Sequence, residues 1–135
     1  MHDRPNSTEL IAAARLFLET ELLPALTDPR LRFQTLVAAH VLGIAERELP
    51  AEESDLRWES AWLADVLGET STPAHSLEDL RQQVREGNRR LCVSIREGNF
   101  DAETAYRQLG HKLRESVSRK LRIANPKLAT LSPAK

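Results

Sequence analysis

Apolar side chains recur every three to four positions along almost the whole chain, and the recurrence is broken at a few prolines and glycines. This is the spacing of amphipathic helices, since residues three and four apart share a helix face. A first helix is expected from about Asn6, where Asn6, Ser7 and Thr8 are all N-cap types and Glu9 completes a capping box with Asn6. Its stripe is Leu10, Ala14, Phe17, Leu18 and Leu22, and Pro24 is expected to end it at Leu23. Asp28-Pro29 announces a second helix, because an acid caps it and the proline's missing N–H costs nothing in the first turn. Phe33, Val37, Val41, Ile44 and Ala45 form its stripe, widened by Leu36, Leu42 and Leu49. A stripe of that width predicts packing on more than one side. Pro50 is expected to end this helix or open the next.

A third helix is predicted from about Glu52 to Leu67, with Glu52, Glu53 and Asp55 where negative charge complements the helix dipole. Leu56, Leu63 and Leu67 make one stripe; Trp58, Trp62 and Val66 make a neighbouring one. Gly68 is the natural residue past its end. Residues 69–75 read as a loop. Ser76, with Asp79 three residues on, caps a fourth helix whose stripe is Leu77, Leu80, Val84, Leu91 and Ile95. Arg-Glu-Gly-Asn occurs twice, at 85–88 and 96–99. The apolar phase continues past Gly87 and stops at Gly98, so the helix is expected to pass through the first copy and end at the second. Asp101 offers the next cap, and a fifth helix is expected over 102–124 on Ala105, Leu109, Leu113, Val117 and Leu121. Strict four-residue spacing drifts around a helix, so Tyr106 and Ile123 are assigned to its packed surface too. Asn125-Pro126 stops it, and the tail beyond Lys127 is expected to fray.

No segment alternates as a strand does. The expected architecture is all-α: a single-domain antiparallel bundle of about five helices over residues 1–128, with a flexible tail over 129–135. A chain of 135 residues can hold such a core without staples, and its single cysteine, Cys92, allows no internal disulfide. Cys92, beside Leu91, is expected to pack as a small apolar group. The net charge of -1 gives no global attraction to nucleic acid or to an anionic membrane. No apolar run reaches the roughly 20 residues of a membrane span, and the acid-bearing start does not read as a signal peptide, so the expected location is cytoplasmic.

Candidate chemistry is sparse. No Gly-rich phosphate loop, His-Glu-x-x-His motif or cysteine pair is present, and neither a metal site nor a cofactor is expected. Carboxylates are plentiful but read as solvent-facing. His40 lies at the edge of the second stripe; it reads first as a structural histidine, with a general base or ligand as the alternative. Asn88 interrupts the fourth stripe, and a buried amide there either fixes register or binds a ligand. Trp62 is assigned to the core. Trp58 is either core or an exposed anchor for a partner. Residues 52–79 carry eight acids and one base, whereas residues 107–127 carry seven bases and one acid. Arg119 and Arg122 therefore mark a basic helix able to take a phosphate-bearing ligand or an acidic surface. It could also face the acidic segment, within one chain or across a symmetric dimer.

Several segments together resemble a known family. They include His2-Asp3-Arg4-Pro5, Glu9-Leu10, Phe17-Leu18-Glu19, Leu22-Leu23-Pro24-Ala25-Leu26 and Arg30-Leu31-Arg32-Phe33. Val37-Ala38-Ala39, Arg47-Glu48-Leu49, Ile95-Arg96-Glu97-Gly98 and Asn125-Pro126 continue the resemblance. It is to a bacterial family of small helical domains of unknown function, encoded beside or fused to acyl-CoA dehydrogenases and aminoglycoside-phosphotransferase-like kinases. The resemblance implies an accessory role in acyl-CoA or related small-molecule metabolism and assigns no catalytic residue. The leading expectation is a non-catalytic accessory module that binds such a partner enzyme, as a homodimer or a hetero-complex. A binder of an acyl-CoA or phosphorylated ligand on the C-terminal basic helix, and an enzyme with a cleft around His40, are the alternatives.

Overall fold

A computed structural model describes residues 4–130. Among them every regular element is helical: α1 (Ser7–Phe17), a π-helical stretch (Leu18–Leu22), α2 (Leu23–Ala25), α3 (Pro29–Leu67), α4 (Leu77–Arg96), α5 (Glu103–Ala124) and α6 (Pro126–Ala129). The all-α class expected from the periodicity is what forms. The chain divides into two compact units, Met1–Ala51 and Glu52–Lys135.

In the first unit Asn6 and Glu9 close the expected capping box, at 2.9 and 2.8 Å. The helix does not stop at Leu23. The Leu23 N–H reaches back five residues to the Leu18 carbonyl, and α2 continues to Ala25 before Leu26 turns extended. The wider turn loosens the ladder ahead of Pro24, whose ring would press on the Thr20 carbonyl in an unbroken α-helix. Asp28 then caps α3 by accepting from the Arg30 N–H at 2.9 Å.

The second and third expected helices are one. α3 runs unbroken for 39 residues with Pro50 inside it. Pro50 removes one ladder bond at a cost of about 3 kcal/mol. Leu49, Ala51, Glu52 and Glu53 on either side are good helix formers, so the local loss does not terminate the helix. The wide stripe of its first half is also not packed on several sides. Ala39 is buried there, while Phe33, Leu36, Val37, Val41 and Leu49 are exposed, Phe33 to 67%. Only the small-residue side of the helix is covered: a Cβ on Gly43 would lie 3.4 Å from the Arg15 side chain of α1. Arg15 continues across to Glu46 at 2.8 Å, and the two carboxylates it touches, Glu46 and Glu19, raise its already high pKa.

The second unit has a true core. Trp62 and Leu63 of α3, Val84 and Leu91 of α4 and Leu109 of α5 are buried together, with Leu56, Trp58, Val66, Leu67 and Phe100 packed around them. Gly68 and Gly98 take positive φ (67° and 81°) where α3 and α4 end, a conformation that only glycine adopts without strain. Ser76 caps α4 through the Asp79 N–H at 3.1 Å. α4 passes straight through Gly87, which is buried beneath Leu63.

Four details differ from expectation. Ala102, not Asp101, is the N-cap of α5, and the Asp101 N–H instead closes the turn onto the Gly98 carbonyl. On α5 the buried side runs through Leu109 and Ser116, leaving Val117 and Tyr106 exposed, Tyr106 to 70%. A helix packs on a 3.6-residue period, and steps of four leave that line within two turns. Cys92 is exposed, because one residue past Leu91 is about 100° around the helix. Asn125 ends α5 and caps α6 through the Leu128 N–H, so the segment expected to fray from Lys127 is helical to Ala129. The expected flexible tail otherwise falls largely on residues 131–135, outside the described residues.

Candidate functional site

Each singled-out residue has a definite place. Asn88 sits on α4 where its amide faces α3, and donates to Glu59 Oε1 at 2.9 Å and to the Val84 carbonyl at 3.0 Å. Glu59 is only 6% exposed and also accepts from Lys120 Nζ at 3.2 Å. Three elements are thus joined at one carboxylate. Glu59 was missed by the sequence reading, which placed carboxylates in solvent. The signal was present, since Glu59 lies three residues after Leu56 and four before Leu63, in the phase of the buried stripe.

Arg119 of α5 is engaged on three sides. It donates to Asp55 at 2.9 Å, lies 3.6 Å from Glu115, and places its guanidinium 4.3 Å from the centre of the Trp58 ring. Trp58 is half-buried beneath it and 6.1 Å from buried Trp62. Cation–π stacking and ion pairing together hold that guanidinium against the unit. The acidic start of this segment of α3 and the basic end of α5 therefore face each other through Asp55–Arg119 and Glu59–Lys120. Arg122 is exposed and joins neither pair.

The same unit carries an open cleft of about 940 Å³, lined by Val66, Leu67 and Phe100 on its apolar side and by Arg107, His111 and Lys112 on its basic side. Arg107 is paired with Glu103. A second cleft of about 320 Å³ lies by Ser60, Gln83 and Arg90. Along α4, Glu78 lies against Arg81 and Arg85, and Glu86 against Arg89 and Arg90. Hydrogen bonds from these guanidinium groups hold both carboxyls below their ordinary 4.5. Among the described residues no three of His, Cys, Asp and Glu come together as a metal-binding set.

In the first unit His40 is exposed and lies in the midst of the uncovered face of α3. Helical phase puts Phe33, Leu36, Val37, His40, Val41 and half-buried Ile44 in one broad sector of α3, beside the Ala39–Gly43 side that meets α1. Leu10 and Phe17 of α1, seven residues apart on one side, are exposed as well, at 55% and 56%. Among the described residues, that face brings no nucleophile and no acid against His40. What it can do is bury apolar surface.

These features define an all-α protein with one well-packed unit and one helical hairpin that leaves its apolar face open. The chain matches the DUF6285 family, a domain of unknown function, over residues 24–128, and belongs to it. No curated protein and no solved structure matches it. No helix among the described residues is long and apolar enough to cross a membrane.

Proposed function

We propose that the protein is a non-catalytic helical accessory module that works by holding polypeptides together, with the open face of residues 1–51 as its docking surface. The carrying observation is that face: large apolar side chains of α1 and α3 stand near or above half exposed, those of α3 around His40. Contiguous apolar surface of this kind marks interaction sites. The polar residues that suggested chemistry support the same reading. Asn88, Arg119 and Trp58 are occupied with one another's helices, and His40 has no acid or amide partner among the described residues with which to act as a base. The partner enzyme is proposed to be an acyl-CoA dehydrogenase or a phosphotransferase-like kinase, on the family resemblance alone.

The test is a pull-down of such enzymes with the parent protein and with a Phe33→Asp/Val37→Asp variant. Circular dichroism should show unchanged helicity, and the variant should lose the associations of the parent. A folded variant that keeps every one of them overturns the reading.

The 940 Å³ cleft favours a second reading, a binder of an amphiphilic anion such as an acyl-CoA. It places the basic contacts on His111 and Lys112 rather than on Arg119, which is already paired. A thermal shift with acyl-CoA that disappears in Lys112→Glu is the expected result; a shift unchanged by that substitution would exclude the cleft.

A further inference from the structure

Resting on the reading that the face of residues 1–51 is a docking surface, we infer that its occupant is a second copy of this chain, its α3 helix running antiparallel to the first. Three observations carry this. The first is need. The first unit is a two-helix hairpin in which, among the described residues, Ala39 and Gly43 are the buried ones and no large apolar side chain is enclosed. Two helices alone do not enclose a core, and a second hairpin laid on the open face can supply one.

The second is area. Leu10, Phe17, Phe33, Leu36, Val37 and Val41 are 46% to 67% exposed. Side chains of this size leave roughly 80–100 Å² apiece open, so the six offer on the order of 500–600 Å². A stable dimer takes about 800 Å² from each partner, of which somewhat over half is apolar. Together these side chains offer an apolar area of the size of one half-interface's apolar share.

The third is charge. Arg30 and Glu48 are both exposed, and neither side chain pairs with another described residue. They are 18 positions apart, which is about five turns, so they lie on one line of the helix with Val37 and Val41 between them. A basic group thus marks one end of the apolar stripe and an acidic group the other, roughly 27 Å away. A parallel pairing would set like against like at both ends. An antiparallel two-fold sets Arg30 of each copy beside Glu48 of the other, twice, and lays Val37 of one copy against Val41 of the other.

Light scattering across a concentration series should give a dimer for the parent, and Val41→Glu should raise its dissociation constant at least about tenfold with helicity unchanged. Orientation is read with cysteines in a Cys92→Ser background, since the native thiol is exposed. Arg30→Cys mixed with Glu48→Cys should oxidise to a linked heterodimer, while neither alone should link, because a disulfide spans less than about 7 Å between Cα atoms. A parent that stays monomeric at about 100 µM overturns the second copy as occupant. The docking reading would then still be decided by the enzyme pull-down. A dimer in which Arg30→Cys links to itself overturns the antiparallel arrangement.

Discussion

At Gly87 the absence of a side chain is what lets α4 lie on α3. A Cβ built there would meet Leu63 Cδ1 at 3.1 Å and Cβ at 3.4 Å, and Leu63 is fully buried. Alanine would gain up to about 1 kcal/mol of helix propensity, but overpacking costs about 1–3 kcal/mol. Gly87→Ala should therefore destabilise by about 1 kcal/mol in urea unfolding, and should stabilise in a Leu63→Ala background where the space exists. An additive pair would refute that account. The polar cluster next to it allows a second expectation. Asn88→Ala leaves buried Glu59 with Lys120 as its remaining side-chain donor, and should cost about 1–3 kcal/mol. Adding Glu59→Leu should recover part of the loss by removing the stranded carboxylate; no recovery in the melting temperature would show that the amide acts otherwise. Asn88 was legible as a polar break in an apolar stripe. Its partner could not be named, because Glu59 and Asn88 are 29 positions apart and only packing makes them neighbours.

At the level of elements, most start and stop signals that rest on a local hydrogen bond or backbone angle read correctly, Asp101 being the exception. The Asn6 box, Asp28, Ser76, Gly68 and Gly98 are all of this kind. The prolines misled for the opposite reason. Pro24 and Pro50 each remove one bond, and whether a helix survives depends on the sum over its neighbours, through the π turn at Leu18–Leu22 in one case and the strong formers around 49–53 in the other. α4 also carries a pH expectation. Glu78 and Glu86 are held below their ordinary 4.5 in the folded chain by hydrogen bonds from Arg81 and Arg89 respectively. A lowered carboxyl stabilises the fold above its unfolded value and loses that contribution as pH falls through the folded value. Stability should decline as pH drops below about 4.5, and Glu78→Gln/Glu86→Gln should flatten the decline. Glu78 is exposed and Glu86 partly so, and the effect should shrink in high salt. An identical acid limb in the parent and the double variant would refute it.

For the whole molecule, stability is unevenly placed. All five residues of the buried cluster fall between Trp62 and Leu109, and the residues packed against them lie within 56–100. A fragment beginning at Pro50 should therefore unfold cooperatively, whereas residues 1–51 alone should show little protected helix. Hydrogen exchange on the two fragments checks this, and strong protection in the shorter one would overturn it. The helical class, most of the caps and the phase of most stripes were determined by the sequence itself, because 3.6-residue periodicity and cap chemistry act within a few positions. Which stripes are covered was decided only in three dimensions. The stripe through Phe33, Val37 and Val41 reads as core by every local measure and is open, while Glu59 reads as surface and is buried. Burial depends on what lies across the gap, and no single helix carries that information.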